Sequence, residues 1–131
     1  VTEKQNNSRI ILQNTNSNLT STGTIEFNSD KLAELGYISA EGICNLNNIT
    51  LNGGGTLQIW RNTTTLTGNL ALSNNSTLII GNSNLGRTLV VSGNLTIDNG
   101  STFMAESTST GIQVLRCNKN ITINGKLDLY N

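Results

Sequence analysis

One pattern returns four times along this chain, and it limits the fold more than any single residue does. The segments are GICNLNNITLNGGGTLQIW from Gly42, LTGNLALSNNSTLIIG from Leu66, LVVSGNLTIDNGSTFMAE from Leu89 and VLRCNKNITINGKLDLY from Val114. Their middle strands superpose without gaps, starting at Ile49, Leu70, Leu95 and Ile121, which lie 21, 25 and 26 residues apart. A period of that size belongs to a solenoid whose repeats stack coil on coil. Within each segment a short strand leads to an Asn- or Gly-containing corner. An apolar–polar–apolar triplet follows, then a second corner rich in Asn, Gly and Ser, then another alternating strand. Period-two alternation means that one side of each strand is buried. At about 3.3 Å per residue, three strands of three to five residues plus corners account for one coil. The expected fold is all-β: a right-handed parallel β-helix of about five coils of roughly 21–26 residues, three short strands to a coil.

Alternation also names the inward rows. Ile49, Leu70, Leu95 and Ile121 form row one, and Leu51, Leu72, Ile97 and Ile123 form row two. Leu57, Leu78, Phe103 and Leu127 form row three, and Ile59, Ile80, Ala105 and Leu129 form row four. Length differences fall after the third strand, at 81–87 and 107–111, where a solenoid takes insertions. One domain is expected over 1–131, with four regular coils over 42–131 and one or more irregular coils over 1–41. In that first part Arg9–Gln13 and Gly23–Asn28 read as strands of an earlier coil. Asp30–Gly36 reads as a loop, with a helical turn as the alternative, because an Asp precedes Lys-Leu-Ala-Glu-Leu and a Gly closes it.

Composition agrees with a folded, exported chain. Hydrophobic residues make up 35% and charged residues 12%, with formal net charge zero, no Pro and no His. Asn and Ser compete with helix formation through local hydrogen bonds, whereas β-branched Thr suits strands. Disorder through low hydrophobicity is usually joined to high net charge, and this chain has none. A neutral surface carries no basic footprint for nucleic acid, and no apolar run is long enough to span a bilayer as a helix. The chain starts at Val1 rather than Met, as expected for a processed protein or an excised fragment.

The stretch GTIEFNSDKLAELGYISAEGICNLNNITLNGGGTLQI, followed by TLTGNLALSNNSTLIIG and TLVVSGNLTIDNGSTF, resembles the β-helical repeat regions of large surface adhesins and secreted proteins of Bacteroidetes-type bacteria. Filamentous-haemagglutinin-like passenger domains are a more distant likeness. The resemblance covers nearly the whole chain and implies export to the cell surface with a stalk or adhesive role. Cys44 and the Trp60-Arg61 pair depart from the pattern.

Candidate chemistry is sparse. Cys44 and Cys117 fall in the first strand of coils three steps apart, so at about 4.8 Å per step the sulfurs sit roughly 14 Å apart. A disulfide needs Cα atoms within about 7 Å, and both cysteines are expected to be free core residues. No His and no CxxC leaves no metal site. Glycoside chemistry needs two carboxylates about 5–9.5 Å apart, and no two acids of the clear coils share a row in adjacent coils. Asp98, Arg116 and Lys119 could imitate the set of a polysaccharide lyase, but they read as scattered solvated charges. No catalytic residue, no cofactor and no enzyme activity are expected.

The outward row of the third face is Gln58, Ile79, Met104 and Asp128, flanked by Trp60 and Tyr130. Exposed Ile and Met beside aromatics would form a contact patch, unless a neighbouring domain or the 81–87 loop covers them. The outward ladder Thr50, Ala71, Thr96, Thr122 is too irregular for an ice-binding face. Asn-x-Ser/Thr sequences at Asn48, Asn94 and Asn120 read as chance in so Asn- and Thr-rich a chain, with glycosylation a weak alternative. The chain stops at Tyr130-Asn131 as a third strand ends, with no polar cap. Open coils expose strand edges, so a segment of a longer protein, or ends that pair with other chains, is expected. The favoured reading is a non-catalytic stalk or adhesive repeat of a secreted or bacterial cell-surface protein. Its partners would be neighbouring repeats or identical chains end to end, or a cell-surface protein or glycan. The alternatives are a carbohydrate-binding module and a filament subunit.

Overall fold

The computed structural model describes residues 6–12, 17–38, 42–81, 86–106 and 111–129, with backbone alone for 6–12, 37 and 38. Strand β1 (Asn6–Leu12) stands first. Five layers of three strands follow. They are β2 (Leu19–Thr20), β3 (Thr24–Phe27), β4 (Leu32–Ile38); β5 (Cys44–Leu46), β6 (Asn48–Leu51), β7 (Thr56–Ile59); β8 (Thr63–Leu66), β9 (Leu70–Leu72), β10 (Thr77–Ile80); β11 (Thr88–Val91), β12 (Leu95–Ile97), β13 (Thr102–Ala105); and β14 (Val114–Cys117), β15 (Ile121–Ile123), β16 (Lys126–Leu129). Among the described residues the strands form three sheets. The first face is β2-β5-β8-β11-β14, the second β3-β6-β9-β12-β15, and the third β1-β4-β7-β10-β13-β16. Every pairing is parallel, and each strand lies on its counterpart one layer below, which makes the chain a parallel β-helix.

The inward rows follow from register. Ile49, Leu70, Leu95 and Ile121 pair in sequence, as do Leu51, Leu72, Ile97 and Ile123. Leu57, Leu78, Phe103 and Leu127 pair on the third face, beside Ile59, Ile80, Ala105 and Leu129. Below them Ile25 and Phe27 continue the second-face rows, and Ala33 and Leu35 the third-face rows. The first face adds two rows, Thr64–Leu89–Leu115 and Leu46–Leu66–Val91–Cys117. All members from the β5 to the β13 layer are buried. A fully buried Leu or Ile side chain contributes about 1.5–3 kcal/mol, so these rows are the main source of stability.

The stretch Asp30–Gly36 is neither loop nor helical turn, because Leu32–Ile38 is strand β4. Its Leu-Ala-Glu-Leu order favours a helix locally. Partners on both sides override that preference: Leu32–Leu35 pair with Thr56–Ile59 above and with β1 below. Inward Ala33 and Leu35 alternate with outward Glu34, as a half-buried strand requires. Gly36 (φ +72°) sits at the register shift between Leu35 and Tyr37, and a Cβ there would come within 2.3 Å of Arg61 Cδ. Residues 19–38 thus contribute a three-strand layer, whose pairing with β1 carries two register shifts.

Two corners are fixed by hydrogen bonds, the first by bonds between layers and the second by turns within each layer. Between the first and second faces runs the column Thr24, Asn48, Asn69, Asn94, Asn120. Asn48 Nδ2 donates to Thr24 Oγ1 (3.3 Å), and the backbone N–H of Asn69 donates to Asn48 Oδ1 (2.8 Å). The N–H groups of Asn94 and Asn120 donate in turn to Asn69 Oδ1 (2.8 Å) and Asn94 Oδ1 (3.3 Å). Recurrence of Asn at these positions thus has a structural cause, which replaces the reading of chance. Gly93 packs over this ladder, where a Cβ would lie 2.4 Å from Asn69 Oδ1. Between the second and third faces, Ser76 and Ser101 N–H groups close tight turns onto Ser73 O (3.2 Å) and Asp98 O (3.0 Å). Asn74 (φ 55°) and Asn75 (φ 61°) adopt the left-handed conformation that Asn tolerates.

Candidate contact surface

The outward row of the third face is continuous in register: Glu34, Gln58, Ile79, Met104, Asp128. Its exposure is not continuous. Glu34 is 6% and Gln58 7% exposed, so Gln58 does not face solvent. Ile79 and Met104 are half-buried, as is Asp128, whose Oδ2 accepts from Lys126 Nζ at 2.6 Å. Trp60 is half-buried just after β7, its backbone N–H donating to Leu35 O (3.1 Å), and Tyr130 lies outside the described residues. The expected patch therefore loses Gln58, while Ile79, Met104, Asp128 and Trp60 stay partly exposed. Backbone register sets Arg9 beside Glu34, at the buried end of the row.

Two buried arginines were not foreseen from the sequence. Both precede first-face strands, at the corner that follows the third face. Arg61 is 1% exposed and donates through Nη2 to Ser17 O at 2.8 Å. Arg87 donates through Nη1 to Asn62 Oδ1, and its backbone N–H donates to Gln113 Oε1 at 2.9 Å. Burial lowers the Arg87 pKa from its ordinary value. The signal that could have found the pair is recurrence: an Arg stands at the same corner of successive coils, before Thr63 and before Thr88.

Cys44 and Cys117 are both free thiols, and they occupy different inward rows of the first face. Asn45 pairs with Thr65, so Cys44 faces Thr64 in the Leu89 row, while Cys117 continues the row of Val91. Burial pushes the Cys44 thiol up, with the Thr64 hydroxyl and the Arg61 guanidinium pulling the other way. A raised thiol is mostly protonated near neutral pH and a poor nucleophile. Cys117 Sγ lies 3.4 Å from Gly93 O.

Asp98, Arg116 and Lys119 do not converge. Arg116 pairs with Val90 on the outward side of the first face, Lys119 follows at the next corner, and Asp98 lies beyond the far end of β12. Among the described residues no three of His, Cys, Asp and Glu gather at metal-binding distance. A hollow of about 230 Å³ opens at the second-to-third corner among Phe27, Ala33, Leu51 and Leu57, with Glu26 and Lys31 also in its lining. It exists because Ala33 takes the place that Leu57, Leu78, Phe103 and Leu127 fill in the layers above. Its lining is apolar at Phe27, Leu32, Ala33, Leu51 and Leu57 and polar at Glu26, Asn28, Ser29, Lys31 and Thr56. No helix of the described residues is long and apolar enough to cross a membrane. No family model, no curated protein and no solved structure matches the chain.

Proposed function

We propose that the chain is a rigid, non-catalytic structural segment, a stalk or adhesive repeat of a bacterial secreted or cell-surface protein. The likeness to β-helical adhesin repeats supports that setting. The observation that carries the reading is the unbroken register of the inward rows through successive layers. Such a stack resists bending because tilting one layer would open ladder bonds and core contacts on every face at once. The titratable groups are spread over separate faces, which suits a scaffold better than a reaction centre. A carbohydrate-binding module needs an exposed aromatic platform, and Trp60 is half-buried.

The test combines location with turnover. Intact source cells would be treated with an external protease and probed with antibody to this chain, and the purified chain would be assayed for polysaccharide cleavage. Loss of the epitope from intact cells together with no cleavage is expected. An epitope protected until lysis, or catalytic turnover, would defeat the proposal.

A further inference from the structure

Three Asn-Gly steps occur in this chain, Asn52-Gly53, Asn99-Gly100 and Asn124-Gly125, all at the corner between the second and third faces. Such a step can react with itself. The glycine N–H adds to the asparagine Cγ, the Cγ–Nδ2 bond breaks, and ammonia leaves carrying the glycine proton. The resulting cyclic imide then takes up water at one of its two carbonyls and opens to aspartate or isoaspartate. In isoaspartate the main chain runs through the side-chain carbons and is one atom longer. Glycine permits the approach because it has no Cβ. Rate then depends on position: the N–H must be free of other bonds and the side-chain amide free to swing onto it.

We infer that Asn99, alone of the three, is a site of this self-modification in the folded chain. The inference stands apart from the stalk reading and rests on how the corner is stacked. Ile97 pairs with Ile123 and Thr102 with Lys126, so a corner of four residues lies beneath one of two. Gly125 sits over the ends of the longer turn, where a Cβ would run into Asp98 O and Ser101 O. Asn99 and Gly100 are left uncovered at its tip, and both are exposed. The Ser101 N–H closes the turn onto Asp98 O, and Gly100 takes φ +81°. Among the described residues neither the Gly100 N–H nor the Asn99 side-chain amide has a hydrogen-bond partner. The other two steps are held. Asn52 donates its N–H to Phe27 O (3.1 Å), its carbonyl accepts from Asn74 Nδ2 (2.9 Å), and its Oδ1 is shut off from solvent. Gly53 is pressed on the layer below, where a Cβ would meet the Asn28 carbonyl carbon. At the third step the attacking group itself is occupied, since the Gly125 N–H donates to Ile97 O at 3.0 Å.

Conversion adds one negative charge beside Asp98 to a chain of zero formal charge. The extra main-chain atom falls at a corner, where a solenoid takes insertions, so the inward rows stay in phase. The test holds the 131-residue chain at neutral pH, folded in buffer and unfolded in urea. Peptide mapping that separates Asn, Asp and isoaspartate would follow all three steps, circular dichroism verifying the fold. In buffer Asn99 is expected to convert about tenfold or more faster than Asn52 and Asn124, whereas in urea the three should react at similar rates. Asn99→Gln should lose most of the acidic species seen on isoelectric focusing and keep its β signal. Similar rates in buffer, no conversion at Asn99, the same preference in urea, or an undiminished acidic species in Asn99→Gln would each overturn the proposal.

Discussion

The β11–β13 and β14–β16 layers carry apolar residues in the same rows, and they differ in how far those rows are buried. Leu95 and Ile97 are fully buried, while Ile121 and Ile123, paired directly with them, stand in solvent. The difference does not lie in the residues, since both layers alternate apolar and polar in the same phase. It lies in whether a layer has a neighbour on both sides. In a solenoid the hydrophobic effect acts between layers, and one layer cannot bury its own row.

Paired substitutions would break or sharpen that comparison. The largest effect is expected for Ile97→Ala, a loss of about 2–5 kcal/mol. Ile123→Ala in the same row should lose less than about 1 kcal/mol, because much of its area is never removed from water. Equal losses in denaturant titrations would mean that the last layer is covered in solution. The β2–β4 layer offers the reverse experiment: Ala33→Leu fills the hollow at row three and should gain about 0.5–2 kcal/mol. A loss there would show the hollow too narrow for the added methylenes.

The corner ladder gives a smaller contrast. Asn94→Ala removes the acceptor for the Asn120 N–H and should cost about 0.5–1.5 kcal/mol. Asn120→Ala, with no described layer above it, should cost less, and thermal melts of the two would rank them. Cys44 supplies a pH-dependent term. Its thiol pKa is raised in the folded state from an ordinary 9.0, so its contribution is intact below that value and fades as pH rises past it. Melting temperature of the native chain should therefore fall more steeply above pH 9.0 than that of Cys44→Ala, and parallel curves would exclude the thiol as the cause. The smallest change is expected at outward Thr96, where substitution by Ala should cost under about 0.5 kcal/mol.

The rows were legible from sequence because period-two alternation fixes both face and register: shifting Leu95-Thr96-Ile97 by one residue would turn Thr96 inward. Strand β4 was not legible, since Leu-Ala-Glu-Leu satisfies a helix locally and only its neighbours make it a strand. Burial of Glu34 and Gln58 escaped for a related reason. Alternation tells which way a side chain leaves the sheet, not what lies over that sheet. Arg61 and Arg87 escaped because a charged residue is read as solvated by default, and their burial depends on partners such as Ser17, 44 residues away. The candidate contact row was thus correct in register and incomplete in exposure.

The asparagine column has a consequence for size. The Oδ1 atoms of Asn48, Asn69 and Asn94 each accept from the layer above, so Asn48, Asn69, Asn94 and Asn120 hold equivalent places on one rod. Cutting out one whole coil between two of them, Asn69 to just before Asn94, would set Asn94 on Asn48 with the inward rows still in phase. Length here is counted in whole layers, and a shorter or longer version should be reachable by removing or copying one of them.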